Sequence, residues 1–175
     1  MQDDAIARAA RVRLMIFDVD GILTDGSLHY GPDGELIKTF NVLDGHGIKL
    51  LQQSGVMTAI ISARKSDIVA KRAADLGIAH LFQGVHDKRT AFEQLLSVTD
   101  VAVDACGFVG DDVIDLPILL RVGFAASVPN AHAEVKSRVH YVTQASGGRG
   151  AARELCDFIL RAQGNYEAAL APYLQ

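Results

Sequence analysis

Short β-rich runs alternate with longer segments of helical periodicity through most of the 175-residue chain. Two neighbouring parallel strands need a long crossover between them, and a helix usually supplies it. The alternation therefore predicts a parallel sheet with helices packed on both faces. The predicted strands cover residues 13–17, 56–61, 79–83, 105–109 and 123–126.

This pattern corresponds to an α/β fold with three layers, in which a doubly wound (Rossmann-like) parallel sheet lies between two layers of helices. The length predicts one domain over residues 1–175, with its core at about 13–163 and a loosely held tail at 164–175. Helix starts are predicted at Ser66, Asp87 and Asn130, and helix ends at Gly55 and Gly77.

One segment interrupts the alternation directly after the first strand. Leu28-His29-Tyr30 and residues 35–40 flank the turn sequence Gly-Pro-Asp-Gly, which predicts a β-hairpin. We expect this hairpin to form a small flap near the end of the first strand. Residues 21–61 have room only for the hairpin, one helix and one strand, and residues 88–111 only for one helix and one strand, so no cap domain is expected over the sheet.

Composition argues against several classes of partner. The net charge is −4 and the basic residues are scattered, so we expect neither a nucleic-acid partner nor a membrane surface. Cys106 and Cys156 lie in apolar segments without the paired spacing of a zinc site, which predicts buried thiols in a reducing compartment. The sequence has no apolar run of signal-peptide or membrane-spanning type, and we expect a cytoplasmic protein.

Polar side chains follow four of the predicted strands. The first strand runs into Asp18-Val19-Asp20, the second into Ser62-Ala63-Arg64, and the fourth into Gly110-Asp111-Asp112, while Lys88 follows the third. In an open parallel sheet the carboxyl ends of the strands share one crevice, so these groups should meet. Carboxylates so close together repel each other unless a cation lies among them, and ligation by oxygen atoms suits Mg²⁺.

The same residues predict phosphoryl transfer. We expect Asp18, Asp111 and the backbone carbonyl of Asp20 to hold the metal, with Asp112 and Asp115 around these ligands. Asp18 would attack phosphorus to form an aspartyl-phosphate, and Asp20 would protonate the leaving oxygen and then activate water. Ser62 and Lys88 would hold the phosphoryl oxygens and stabilise the charge that develops on them.

These residues resemble the four motifs of the haloacid dehalogenase superfamily of phosphatases, at Asp18-Val19-Asp20, Ser62, Lys88 and Gly110-Asp111-Asp112. Within it, the chain is similar to the phosphatases of 3-deoxy-D-manno-octulosonate (KDO) 8-phosphate in lipopolysaccharide precursor synthesis. That likeness implies a sugar-acid phosphate as substrate, Mg²⁺ dependence and a ring-shaped homotetramer. It also implies substrate contacts by Thr24 and, at a neighbour's site, by Arg149. The segments that carry it are the hairpin and residues 24–26, 41–47, 110–117 and 147–151.

Arg64 bears on the choice of substrate. It follows Ser62 by two residues, and its guanidinium group suits the carboxylate of a sugar acid. The similar 2-keto-3-deoxynononate 9-phosphate phosphatases tend to carry an acidic residue at this place, so Arg64 favours the octulosonate. Ala63 stands where the family usually has glycine, which would disturb the loop only if φ at this residue is positive.

Three alternatives remain at this point. One is a phosphatase for the nononate 9-phosphate or for sugar phosphates in general. A second is a receiver-like signalling module, which also has a phosphorylatable Asp, an acidic pair, a Ser/Thr and a Lys, although receivers separate the acidic pair from that Asp. A third is a catalytically weakened domain like that fused to some sialic-acid cytidylyltransferases. The adjacent acid–base carboxylate of Asp20 favours an enzyme with turnover.

Overall fold

A six-stranded parallel sheet forms the centre of the computed structural model, which describes residues 2–175. In chain order the strands are β1 (Leu14–Phe17), β2 (His29–Gly31), β3 (Gly34–Ile37), β4 (Met57–Ile61), β5 (His80–Phe82), β6 (Cys106–Val109), β7 (Phe124–Ser127) and β8 (Tyr141–Val142). The sheet has the order β5-β4-β1-β6-β7-β8, and β2 pairs with β3 as a separate antiparallel hairpin. The hairpin is the flap predicted from the sequence.

Helices cover both faces of the sheet. In chain order they are α1 (Gln2–Ala9), α2 (Val42–Gln53), α3 (Asp67–Leu76), α4 (Lys88–Thr99), α5 (Leu116–Leu119), α6 (Ala133–Lys136), α7 (Ala151–Ala162) and α8 (Tyr166–Leu170). Short 3-10 turns lie at Val103–Ala105, Val113–Asp115 and Ala171–Tyr173. Within residues 2–175, no helix has both the length and the apolar character that crossing a bilayer requires.

Strand β1 shows why the chain needs two helical layers. All four of its residues are buried, and successive side chains point to opposite faces of the sheet. Met15 and Phe17 belong to a core cluster that also contains residues of α1, α2, α3 and α7. Leu14 and Ile16 belong to a second cluster with residues of α4, α5 and α6. The predicted three-layer α/β fold is confirmed.

The sheet order places a topological switch point at β1. From β1 the chain passes through α2 to β4 on one side, whereas β6 pairs with β1 on the other side. The loops that follow β1, β4 and β6 therefore open into one crevice at the carboxyl edge of the sheet. Between β1 and β4, an interval that the structure describes in full, the chain forms only the flap and α2, so no cap domain is inserted there.

The structure differs from the sequence-based prediction at several elements. The predicted strands overlap β1, β4, β5, β6 and β7, but α1 and the short, partly exposed strand β8 were not predicted. Helix α6 begins at Ala133 with His132 as its N-cap, not at Asn130. The side chain of Asn130 instead accepts a hydrogen bond from the backbone N–H of Gly147 (3.1 Å). The predicted tail contains α8, whose Tyr166 and Ala169 pack against the larger core cluster.

Asp44 connects helix α2 to the start of helix α7. It lies in the first turn of α2 and is buried. Its carboxylate accepts hydrogen bonds from the backbone N–H groups of Gly150 (3.3 Å) and Arg153 (2.8 Å), at the start of α7. A carboxylate at a helix N-terminus pairs amides that have no partner within the helix and also meets a favourable helix dipole. Asp44 thus fixes the Gly-rich segment before α7 relative to α2.

We expect Asp44→Ala to lower the free energy of unfolding by about 1–3 kcal/mol, because it leaves two helix-terminal amides without their acceptor. Urea denaturation followed by circular dichroism measures this loss. Asp157→Ala is the matched control, since Asp157 pairs with the neighbouring Arg153 in a partly exposed (i, i+4) contact. Asp157→Ala should lower the free energy of unfolding by no more than roughly 0.5 kcal/mol. Equal losses in the two variants would contradict the role given to Asp44.

Candidate functional site

A pocket of about 200 Å³ opens at the carboxyl edge of the sheet, at the switch point. It is bordered by the loops that follow β1, β4 and β6, because parallel strands deliver their carboxyl ends to the same edge. The residues that line it are Asp18, Asp20, Gly26, Ser62, Ala63, Arg64, Asp111, Asp112 and Ile114. The structure therefore brings together most of the predicted site residues.

Asp18 is the first residue after β1, and the sheet itself fixes its position. Its backbone N–H continues the strand pairing by donating to the carbonyl of Val109 at 3.0 Å. The side chain is nearly buried, and one carboxylate oxygen lies 2.9 Å from Nζ of Lys88. Lys88 begins α4, directly after the N-cap Asp87, and is only 3% exposed. A buried lysine of this kind needs anionic partners, and here it has two.

Asp115 is the second partner of Lys88, at 2.6 Å between Nζ and Oδ1. Its other oxygen accepts the backbone N–H groups of Asp111 (3.0 Å) and Asp112 (3.1 Å). The side chain of Asp112 in turn caps the following 3-10 turn through the N–H of Val113. Asp115 is fully buried and does not line the pocket, so it orients Lys88 and the Asp111 loop from below.

The carboxylates of Asp18, Asp111 and Asp115 approach one another closely, with one oxygen of each within 4.8 Å of the others. Burial, and then the charge of Asp115, raise the pKa of Asp18 to about 7 against the opposing effect of Lys88. Burial and the charges of Asp115 and Asp112 likewise raise the pKa of Asp111 to about 7. One ammonium group among these acids leaves an excess of negative charge facing the pocket.

Glycine is required where the first loop passes the acidic cluster. Gly21 has φ +86°, and a Cβ at this residue would lie 2.0 Å from Oδ2 of Asp111. The Gly147-Gly148 segment supports the same loop, because the N–H of Gly148 donates to the carbonyl of Ile22 at 2.9 Å. A side chain at residue 21 would therefore displace the carboxylate of Asp111.

Asp20 also lines the pocket, and its carboxylate lies beside two cationic side chains. One of its oxygens forms an ion pair with Lys38, and the other lies 3.6 Å from Nε of Arg64. Lys38 follows β3 in the flap, and its side chain is almost fully buried. Lys38 and Glu35, which form an ion pair three residues apart, were not predicted from the sequence. The charged pair at the end of the hairpin was the only local signal, and nothing local indicated that the flap folds back onto Asp20.

Ser62 and Arg64 follow β4 as predicted. Ser62 is buried at the pocket floor, and its N–H donates to the carbonyl of Phe82 at 2.9 Å. The guanidinium group of Arg64 donates to the hydroxyl of Tyr30 in the flap and lies 5.6 Å from the centre of its ring. Ala63 does not have positive φ; among the non-glycine residues in the described range, Asp100 alone does. The alanine is therefore compatible with this loop without backbone strain.

Two predicted substrate-binding residues lie outside the pocket. Thr24 is buried, and its hydroxyl accepts from the N–H groups of Gly21 and Gly26 and donates to the carbonyl of Val19. It therefore shapes the loop instead of facing the pocket of its own chain. Arg149 is exposed, 3.7 Å from Asp25 at the nearest charged atoms. Its predicted contact at a neighbour's site stays a prediction.

Comparison with known proteins assigns the family. A family model described as haloacid dehalogenase-like hydrolase matches residues 65–155. The 3-deoxy-D-manno-octulosonate 8-phosphate phosphatase of Yersinia pestis is 46% identical over 167 residues, which cover 95% of this chain and 89% of that protein.

Solved structures of phosphatases with the same named substrate are similar to this chain in fold and sequence. The corresponding phosphatase of Moraxella catarrhalis, in complex with magnesium ion, phosphate ion and KDO, has a TM-score of 0.96 at 40% identity, covering 99% of both chains. The cobalt-bound phosphatase of Haemophilus influenzae has a TM-score of 0.92 at 40% identity, covering 96% of this chain and 99% of that one. This chain belongs to the haloacid dehalogenase-like hydrolases and, within them, to the family of 3-deoxy-D-manno-octulosonate 8-phosphate phosphatases.

Proposed function

We propose that this protein hydrolyses KDO 8-phosphate to KDO and inorganic phosphate. The observation that carries the proposal is the nearly buried Asp18, which faces the pocket beside Asp111 and within 2.9 Å of Lys88. This arrangement occurs in a chain that is 46% identical over 95% of its length to a named phosphatase for that substrate.

Magnesium is the cofactor that the donor set supports. The carboxylates of Asp18 and Asp111 and the backbone carbonyl of Asp20 would hold the ion, while both oxygens of Asp115 already have partners. Oxygen ligands and a remaining space for water or phosphate oxygens suit Mg²⁺. When bound, Mg²⁺ offsets negative charge between the nucleophile and the phosphoryl group. Burial, and then the charges of neighbouring acids, raise the pKa values of Asp18 and Asp111 to about 7, and a bound cation would offset both effects by stabilising the carboxylates.

The residues of the pocket divide the reaction into two steps. An Asp18 carboxylate oxygen forms a bond to phosphorus as the bond from phosphorus to the sugar oxygen breaks, and Asp20 gives its proton to that leaving oxygen. Asp20, now a carboxylate, takes a proton from water, whose oxygen attacks phosphorus and displaces Asp18. Lys88 neutralises charge on the phosphoryl oxygens, and the Ser62 hydroxyl donates to one of them.

Arg64 is our candidate for recognition of the substrate carboxylate. It lines the pocket beyond Ser62 and is held above Asp20 by Tyr30 of the flap. Its guanidinium group offers paired donors to a planar carboxylate, which suits a sugar acid and distinguishes it from a neutral sugar phosphate. A positive charge here also argues for the octulosonate over the nononate 9-phosphate, whose phosphatases tend to be acidic at this place.

Phosphate release from KDO 8-phosphate, the nononate 9-phosphate and glucose 6-phosphate, with Mg²⁺ or with EDTA, tests the assignment. We expect KDO 8-phosphate to be preferred, and Asp18→Asn to lose at least ~10³-fold in kcat, because an amide cannot form the intermediate. Arg64→Ala should raise KM for KDO 8-phosphate by roughly 10–100-fold, with a smaller effect on glucose 6-phosphate.

Arg64→Lys is the matched control, since it keeps the charge but loses the paired donors. Its KM for KDO 8-phosphate should lie between those of the wild type and Arg64→Ala. Equal rates on all three substrates would refute the substrate assignment. Undiminished activity of Asp18→Asn would refute the mechanism. A long-lived phosphoprotein without turnover would favour a receiver-like role.

Asp111→Asn tests the charge excess without an activity assay. An acid whose pKa is raised on folding costs stability once the pH exceeds its unfolded value of about 4, and the cost is complete above about 7. In EDTA the melting temperature of the variant should therefore exceed that of the wild type by roughly 3–8 °C at pH 8, with little difference at pH 5.

Added Mg²⁺ should raise the melting temperature of the wild type and leave Asp111→Asn almost unchanged. Asp75→Asn, on the exposed face of α3, is the control. It should change neither the melting temperature in EDTA nor the rise produced by Mg²⁺ by more than about 1–2 °C. A destabilised Asp111→Asn in EDTA at pH 8 would contradict the charge excess.

We propose further that the protein forms a homotetramer in which the flap of one subunit lies over a neighbour's pocket. Apolar side chains of the flap face solvent in the single chain, with Tyr30 at 57%, Leu36 at 60% and Ile37 at 56% exposure. A patch of this kind favours a protein partner, and a second copy of the chain supplies both flap and pocket. We place the protein in the cytoplasm, which the two free, buried cysteines support.

Leu36→Glu should shift the sedimentation coefficient from tetramer to smaller species at micromolar concentration, because it puts a charge into the proposed apolar contact. KDO 8-phosphate hydrolysis should fall with dissociation. Val98→Glu changes a residue of similar exposure on α4, away from the flap, and should leave the assembly intact. A tetramer that persists in Leu36→Glu would exclude the flap as its interface.

A further inference from the structure

The flap carries a charged pair whose contacts all run inward, in contrast to its exposed apolar residues. Lys38 follows β3, and its side chain is only 2% exposed. Its ammonium group pairs with Oδ1 of Asp20 and lies 3.0 Å from Oε1 of Glu35. Burial opposes the charged form, but hydrogen bonds to Asp20 and Glu35 raise the pKa of Lys38 overall, so the amine is a cation at neutral pH.

Glu35 connects this pair to the core of the fold. Its second carboxylate oxygen accepts the hydroxyl of Ser66, the buried N-cap of α3. The backbone N–H of Ser66 donates to the side chain of Gln83, just beyond β5, at 2.9 Å. Ser66, Glu35 and Lys38 therefore form a continuous polar chain from α3 and the β5 edge of the sheet, through the flap, to Asp20.

Asp20 depends on contacts of this kind. It is the third residue beyond β1 and lies next to Gly21, so the sheet fixes its backbone less directly than that of Asp18. Its side chain is 21% exposed, and the other cation near it, Arg64, lies at 3.6 Å. A group that passes a proton to and from reacting atoms has to stay within hydrogen-bond reach of them.

We propose that Lys38 is a positioning residue that holds the carboxylate of Asp20 in place for proton transfer. Lys38 anchors Oδ1, which leaves Oδ2 on the side of Arg64 and the pocket. The flap, through Glu35 and Ser66, sets the place of the Lys38 ammonium group. The inference rests on the proposed function in one respect, namely that Asp20 carries the proton in phosphoester hydrolysis.

The loss of Lys38 should affect the two chemical steps unequally when the leaving group is good. p-Nitrophenolate departs from phosphorus without a proton, so formation of the aspartyl-phosphate from p-nitrophenyl phosphate needs Asp20 little. Breakdown of the intermediate still needs Asp20 to take a proton from water. A misplaced Asp20 should therefore turn the second step into the slow one for this substrate.

Stopped-flow release of p-nitrophenolate by the full-length protein with saturating Mg²⁺ tests this. We expect Lys38→Met to show a burst of about one product per site, followed by a steady rate ~10–100-fold below that of the wild type. Phosphorylation by an alkyl phosphate in a single turnover should slow by at least ~10-fold, because that leaving group needs the proton. Lys38→Arg should restore most of both rates.

Ser66→Ala keeps the Lys38–Asp20 pair but removes the hydrogen bond to Glu35, together with the N-cap contact to the Val69 N–H, so it should slow the steady rate of p-nitrophenyl phosphate hydrolysis by roughly 2–5-fold. Lys49→Met, at an exposed position of α2, is the matched control and should leave every rate unchanged. Melting temperature and Mg²⁺-dependent stabilisation of Lys38→Met establish that the variant is folded.

A folded Lys38→Met with wild-type rates would overturn the inference, and so would equal losses on aryl and alkyl phosphates without a burst. Either result leaves the proposed function intact, because the wild type still hydrolyses both esters. A wild type without Mg²⁺-dependent hydrolysis of any phosphate ester would overturn the two together. A Lys38→Met variant that does not fold would assign Lys38 to stability and overturn the positioning role.

Discussion

The structure depends on how one buried ammonium group is shared among buried carboxylates. Lys88 lies between Asp18 and Asp115, at 2.9 and 2.6 Å, and all three side chains are nearly or fully removed from water. Removing either acid would leave the buried charge of the lysine with only one anionic partner. Removing the lysine would leave two adjacent buried carboxylates without a cation. Asp115 also receives two backbone amides of the β6 loop, so the same balance of charge fixes the loop that carries Asp111. The site and its support are thus one electrostatic unit.

The sheet explains why that unit could be predicted from the sequence. Asp18 follows β1, Lys88 follows β5, and Asp111 and Asp115 follow β6, and the carboxyl ends of parallel strands meet at one edge. The sequence alone therefore predicts that Asp18, Ser62, Lys88 and Asp111, from four separated segments, lie close together. The strands themselves are short and almost entirely buried, so they stand out in the sequence as short apolar runs. Local sequence and global topology agree at these positions.

Prediction fails where a side chain finds a partner that topology does not dictate. Asn130 follows a proline and resembles a helix cap, but its side-chain oxygen accepts a hydrogen bond from the backbone N–H of Gly147. Thr24 belongs to a motif shared with sugar-acid phosphatases, yet its hydroxyl serves the backbone of its own loop. Lys38 and Glu35 look like an ordinary surface pair until the flap folds back onto Asp20. In each case the deciding contact joins segments whose relative placement depends on tertiary packing, which no local pattern encodes.

The two faces of the flap differ in character and in their contacts. Its apolar side chains, such as Leu36, point to solvent, while Glu35 and Lys38 are held inward by Ser66 and Asp20. A pocket without a cap domain has to exclude water by other means if its intermediate is to break down by controlled hydrolysis. If a neighbouring subunit covers the apolar face, the contact also restrains β3, which directly precedes Lys38. Assembly and proton transfer would then be linked through one short hairpin, because the element that completes the enclosure is the element that positions the carboxylate of Asp20.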